Sequence, residues 1–209
     1  MKQFEKRDIT PQQIMDAFGS EGAQALDGVW IGACSTTRIY CRTVCPAGAH
    51  VDNANVRAFS SAAAAEGAGF RPCLTCCPEF APAPSVEAGF APEAVSFAAA
   101  VEQGIANPSD EGLAVEALTA AGLSAQEGEA MTQAQFGTSV AHYVATARRL
   151  AAKRLMRQAV ISLEEVAAVC GFASAQAVAD QFAQRYKLDA TKLAAQRPRK
   201  PSIMRFTQK

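Results

Sequence analysis

The sequence predicts a mainly α protein built from a small α/β unit followed by an all-helical part. Three observations carry that prediction. Short apolar runs bounded by glycine and polar residues lie at 28–35 and 38–41, which is a strand signature. Prolines at 78, 82, 84 and 92 then interrupt the chain. Behind them, capping residues followed by apolar positions at helical spacing recur to the end. The 209 residues suffice for one to three small domains. We place them at 1–80, a Pro-rich linker at 81–92, a helical domain at 93–200 and a basic tail at 201–209.

Thr10 and Pro11 open a short helix, with a hydroxyl cap and proline at the first helical position. Ile14, Met15 and Phe18 form its apolar face, and Gly19 is its expected stop. After the two strands, Ser60 and Ser61 cap an alanine-rich helix that ends at Gly67 and Gly69. Pro92 starts the next helix, with Val95, Ala98, Ala99 and Ile105 inward and an end near Asn107 and Pro108. Ser109 and Asp110 cap a helix carrying Leu113 and Leu118, and a turn at Gly122 leads to another that ends at Phe136. The longest helix spans 139–157, with Val144, Leu150 and Leu155 inward. Ser162 caps 163–169, Gly171 turns the chain, 174–186 is helical, and a last short helix follows Asp189.

Charge is unevenly spread although it sums to zero. Residues 1–85 carry −1, residues 86–147 carry −8 with no Lys or Arg, and residues 148–209 carry +9. The basic part suits a polyanion and the acidic stretch does not. No apolar run reaches the length of a membrane span. The N-terminus lacks an apolar signal core, so a cytoplasmic location is expected. In a reducing compartment seven cysteines point to metal or thiol chemistry.

Four of them fall in two close pairs, Cys41 with Cys45 and Cys73 with Cys76. Two pairs brought together supply the four soft ligands of a tetrahedral Zn²⁺ site. Two disulfides are the rival reading, which the expected compartment opposes. A metal also supplies stability that so small a core lacks. Cys34 and Cys170 are expected in cores, and Trp30 as well. His50 is expected in a loop and His142 on a helix surface, neither as ligands. Cys77, next to Cys76, is an alternative ligand.

The run Ser35 to Pro46, with Arg57 and Phe59, and then Gly69, Phe70, Arg71, Pro72 and Cys73 to Cys76, resembles the Ada-type zinc domain. The likeness covers about residues 25–80. It implies a single-turnover transfer of a methyl group from a DNA methylphosphotriester to a zinc-bound cysteine, with Cys41 as acceptor. Arg42, Arg57 and Arg71 are then candidates to hold DNA phosphates. The chain departs from the family over residues 46–52, after Cys45, and at Leu74 and Thr75, where relatives carry basic residues. Charge arithmetic fits the chemistry: four thiolates on Zn²⁺ carry −2, which repels phosphodiesters and tolerates a neutral triester. A purely structural zinc site remains the bland alternative, since structural four-cysteine sites are common.

Residues 95–197 resemble the AraC-type DNA-binding domain, two helix–turn–helix units joined by one long helix. Gly122 to Ser124, Thr146 to Leu155, Val166 to Phe172 and Phe182 to Tyr186 carry that likeness. It implies promoter DNA, and with it RNA polymerase, as partners in transcriptional control of an alkylation response. Neither an appended methyltransferase nor a glycosylase domain is expected. The first recognition helix, 125–133, has two carboxylates and no Arg or Lys, and Asp180 stands in the second. The expected DNA contacts therefore lie on the linking helix, at Arg148, Arg149, Lys153, Arg154 and Arg157. One further reading of that basic face stays open: a solvated helix face, with the acidic first unit as a partner for it. A decayed relative acting through protein contacts is the third functional class.

Overall fold

The computed structural model describes residues 2–18, 20, 22–48, 51–196, 198 and 200–203. Gly19 and His50, whose roles as helix stop and loop residue are sequence expectations, lie outside the described residues, as does 204–209 of the tail. The N-terminal part contains α1 (Pro11–Ala17), α2 (Gly22–Ala25), β1 (Ile31–Cys34), β2 (Ile39–Arg42), β3 (Val56–Phe59), α3 (Ala62–Gly67) and β4 (Arg71–Pro72). The helical part contains α4 (Pro92–Gln103), α5 (Asp110–Ala120), α6 (Ala125–Phe136), α7 (Val140–Gln158), α8 (Leu163–Val169), α9 (Ala175–Gln181) and α10 (Ala190–Ala194). A single π turn over Phe182–Tyr186 extends α9. Among the described residues no helix is long and apolar enough to cross a membrane.

Helix starts follow the capping signals closely. The Thr10, Ser61, Ser109, Ser124, Ser139, Ser162, Ser174 and Asp189 side chains each accept a first-turn backbone N–H. Thr10 with Gln13, Ser124 with Glu127, and Ser162 with Glu165 complete reciprocal capping boxes. The α4 helix ends at Gln103, earlier than the proline at 108 suggested, because Gly104 caps it. Its buried face is Ala94, Phe97, Ala98 and Val101, whereas Ala99 is exposed.

The sheet has strand order β3-β1-β2-β4. β1 runs antiparallel to both β2 and β3, and β2 runs parallel to β4. Strand residues alternate between faces, so the register sorts them. Gly32 lies opposite Cys41, Cys34 opposite Ile39, and Ile39 opposite Arg71. These residues share one face. Ile31 lies opposite Arg42, and Ala33 lies opposite both Tyr40 and Arg57. These share the other face, where Ile31, Ala33, Tyr40, Ala65 and Phe70 form a small core with α3.

Two larger cores fill the helical part. Phe97, Leu113, Met131, Phe136 and Val144 lead the first, and Phe4 and Trp30 pack against it from the N-terminal part. Met156, Val166, Cys170, Val178, Phe182 and Tyr186 lead the second. The 19-residue α7 enters both. Residues near the N-terminus lie along α6: the Arg7 N–H donates to the Ala134 carbonyl, and Gln135 Nε2 donates to the Glu5 carbonyl. Cys34 and Cys170 are buried, as expected. His142 is half-buried beside Gly67 rather than on a free helix surface, and burial lowers its pKa.

Candidate metal centre

Cys41 sits on β2, and Cys45 one turn beyond it. Cys73 follows β4, and Cys76 ends the turn after that. Because β2 and β4 are neighbours, the Cys73 N–H donates to the Tyr40 carbonyl at 3.0 Å. The strand pairing therefore brings the two cysteine pairs together. One Sγ atom from each of Cys41, Cys45, Cys73 and Cys76 lies within 4.8 Å of the other three. Four sulfurs at about 2.3 Å from one Zn²⁺ need to be about this close. The same atoms would repel as bare thiolates and can otherwise only share protons. Hydrogen bonding to Cys45 pushes the Cys41 thiol up, while hydrogen bonding from Cys41 pulls the Cys73 thiol down. The donor set fits Zn²⁺.

The four sulfurs are not equivalent. Cys45 and Cys76 are fully buried, and Cys73 is 6% exposed. Cys73 Sγ accepts the Thr75 N–H at 3.3 Å, and Cys76 Sγ accepts the Arg42 N–H at 3.4 Å. Such bonds draw charge from a thiolate and blunt it as a nucleophile. Cys41 is the partly exposed ligand, and among the described residues its Sγ accepts no backbone N–H. It borders an apolar groove of about 330 Å³ lined also by Phe18, Ile39, Val56, Arg71 and Thr75.

Phe18, expected only as part of the first helix's apolar face, is also a member of this site. Its ring covers Gly32 and Gly48. A Cβ on Gly32 would come within 2.6 Å of the ring, and one on Gly48 within 2.3 Å. Cys77 stays outside the cluster. Its buried thiol donates to the Leu74 carbonyl at 3.3 Å, and burial raises its pKa.

The expected phosphate-holding arginines are distributed differently. Arg42 is buried on the α3 face, where its Nε donates to Asp27 Oδ1 at 2.9 Å. Burial by itself would lower its pKa, and the bonds and charge of Asp27 reverse that. Arg57 is exposed on the same face, 5.1 Å above the Phe59 ring. Arg71 alone of the three shares the sheet face and the groove of Cys41.

The basic residues of α7 form no free stripe. Arg149 is 3% exposed, and its Nη2 and Nε donate to Glu66 Oε2 at 2.8 and 3.1 Å. Glu66 Oε1 also accepts from the Tyr186 hydroxyl at 2.7 Å and the Tyr40 hydroxyl at 3.1 Å. Burial first, and then the Glu66 charge, raise both tyrosine pKa values well above normal. Lys153 Nζ lies 2.5 Å from Glu79 Oε1, and both side chains are fully buried. Arg157 Nη2 donates to the Leu74 carbonyl at 2.7 Å, inside the second cysteine pair. Arg148 pairs with Asp110 at 2.7 Å and donates to the Ile105 and Cys170 carbonyls. Arg154, partly exposed, pairs with Glu102. The expectation of a DNA-facing linking helix is corrected for Arg148, Arg149, Lys153 and Arg157, which are buried, whereas Arg154 keeps part of its surface free. Three of these cations bind the cysteine-bearing part, and two bind the acidic first helices.

Residues 15–79 match the family model described as the metal binding domain of Ada. This stretch contains all four clustered cysteines, and the cluster is a Zn²⁺ site. A crystal structure of the methylated N-ADA/DNA complex is 22% identical to the chain, covering 66% of this chain and 93% of that one. Its TM-score of 0.28 is too low for the likeness to carry an argument. No curated protein matches the chain.

Proposed function

We propose that the Ada-type metal-binding domain takes a methyl group from a DNA methylphosphotriester onto Cys41 Sγ, once per chain. One observation carries this reading: among the described residues, Cys41 is the ligand that is both partly exposed in the groove and without a backbone N–H on its sulfur. Zn²⁺, when bound, holds the four sulfurs as thiolates at neutral pH. Cys41 Sγ then attacks the methyl carbon in line. The S–C bond forms, the C–O bond breaks, and its electron pair leaves on the phosphate oxygen, which restores an ordinary phosphodiester. Phe18, Ile39 and Val56 line the approach with apolar surface, which suits a neutral methyl ester better than an anionic diester. Arg71 is the groove's own cation for a neighbouring phosphate.

In the same reading the helical part is an AraC-type DNA-binding pair that couples the modified state to transcription, with RNA polymerase as the implied partner. Its DNA contacts come from the end of the second unit, where Gln176, Arg185 and Lys187 are exposed. The α6 surface, with exposed Glu129, opposes phosphates.

The test is intact-mass analysis after incubation with a duplex carrying one methylphosphotriester, followed by peptide mapping. A gain of one methyl group on Cys41 is expected. A gain on Cys45, Cys73 or Cys76 overturns the choice of acceptor. No gain, with zinc bound and the chain folded, leaves a structural zinc site.

A further inference from the structure

The groove of Cys41 is poor in positive charge for a surface that would meet DNA. Gly48, Leu74 and Thr75 carry none, Arg42 is buried against Asp27, and Arg57 lies on the opposite sheet face. That leaves Arg71. The chain supplies cations from elsewhere. Residues 197–209 contain five Lys and Arg and no Asp or Glu. Among the described residues beyond α10, Ser202 lies at the zinc site: its N–H donates to the Thr75 carbonyl at 2.8 Å. Thr75 lies between Cys73 and Cys76 and lines the groove that Cys41 borders. Lys200 and Ser202 are exposed.

We propose that the C-terminal segment around Lys200, pinned by Ser202 to Thr75, is a phosphate-holding arm of the zinc site and positions DNA backbone beside Cys41. This rests on the reading of the site as one that meets DNA, and it assigns the contact to residues some 120 positions away from the cysteine pairs in sequence. The physical logic is that of a substituted charge. A backbone bond has no charge to lose, so it fixes the segment at the groove's rim whatever the salt. The lysine then meets phosphodiesters flanking the lesion, at a distance from the anionic cluster that would otherwise hold it. An arm that reaches the groove's rim from outside the short 73–76 turn also places its charge farther from the cysteine cluster than a side chain within that turn would.

The test uses the full zinc-loaded chain and a fluorescein-labelled unmodified duplex, with anisotropy read across a salt series. Each phosphate contact contributes about 0.9 to the slope of log K against log salt. Lys200→Ala should lower the slope by about that amount, and a chain ending at Gln196 by about two to four times as much. A photo-crosslinking residue in place of Ile203 should attach to the duplex. Zinc content and helical signal, unchanged in all variants, show that the loss is not unfolding. An unchanged slope in both variants, or tighter binding by the shortened chain, overturns the proposal. A crosslink confined to the protein does the same. Methyl transfer does not enter these readouts, so a slope that falls in a chain that accepts no methyl keeps the arm and removes the acceptor.

Discussion

The two faces of the four-stranded sheet do different work although they share the same short strands. One face presents Gly32, Cys34, Ile39, Cys41 and Arg71 to a groove. The other presents Ile31, Ala33, Tyr40, Arg42 and Arg57 to α3 or its surroundings. Tyr40 and Cys41 are neighbours in sequence, yet one docks the domain and the other holds the metal. The difference shows how a four-residue strand, with a side-chain period of two, separates chemistry from assembly. It also ties them together. Tyr40, Glu66, Arg149 and Tyr186 join the back of the sheet to α7 and the second helical core, and Arg157 reaches the Leu74 carbonyl within the second cysteine pair.

The largest effect belongs to the cysteine face. Cys45→Ala should lower bound zinc from one per chain to none and unfold the β1–β4 sheet, since metal-binding free energy in small domains is folding free energy of about 10 kcal/mol or more. The helical part keeps its own two cores and should retain its helical signal. Metal analysis and circular dichroism check this. A folded, zinc-bearing C45A chain would break the contrast between the faces.

Next comes the docking face. Glu66→Ala leaves the Arg149 guanidinium buried without its carboxylate and strips both tyrosine hydroxyls of an acceptor. Breaking one side of a buried pair costs about 3–5 kcal/mol, to be read by urea unfolding. Replacing both partners, as in Glu66→Leu with Arg149→Met, should cost less than Glu66→Ala alone. Arg149→Glu should likewise act on stability rather than on the salt dependence of DNA binding. A loss below about 1 kcal/mol for Glu66→Ala would place the pair at the solvated surface instead.

Much of this was legible in advance, and the misses have physical causes. The paired cysteines announced the metal because few folds leave four thiols so spaced without one. The caps announced the helix starts because each hydroxyl or carboxylate has a local donor to satisfy. The α7 cations were misplaced because spacing shows that residues share a helix face, not what covers it. Their partners Glu66 and Glu79 lie more than 70 residues earlier and looked like isolated acids in an alanine-rich helix and a proline-rich turn. Gly48 belongs to the 46–52 segment where relatives carry basic residues. The structure shows why no side chain fits there: the Phe18 ring occupies the space. β3 and β4 were missed because two to four residues carry too little periodicity to read.

That seat gives a smaller test of the groove face. Gly48→Ala must displace the Phe18 ring, and overpacking of this kind costs about 1–3 kcal/mol. Calorimetry should show a lowered transition for the zinc domain with zinc still bound. Phe18→Ala combined with Gly48→Ala should recover part of the loss, because the clash is then gone. Equal stability of Gly48→Ala and the native chain would show that Phe18 is not held between the two glycines.

The smallest expected effect concerns Cys34, which shares the groove face with Cys41 but lies outside the metal cluster. Burial by itself would raise its pKa. Hydrogen bonds with Thr36 and Thr37 outweigh that and lower it from 9.0 to about 7, with Thr36 Oγ1 3.1 Å from the sulfur. A depressed folded pKa means that the thiolate is favoured by folding. The associated stability is complete above the unfolded value of 9.0 and is lost as pH falls through about 7. Alkylation by iodoacetamide, followed by peptide mapping, should therefore give a Cys34 rate that rises with a midpoint near pH 7, the lowered value. Thr36→Val removes one donor and should move the midpoint upward without changing zinc content. A midpoint at the ordinary thiol value in the native chain would mean that the threonines do not reach the sulfur in solution. The groove would then hold a single activated sulfur, Cys41, and that activation would come from the metal cluster alone.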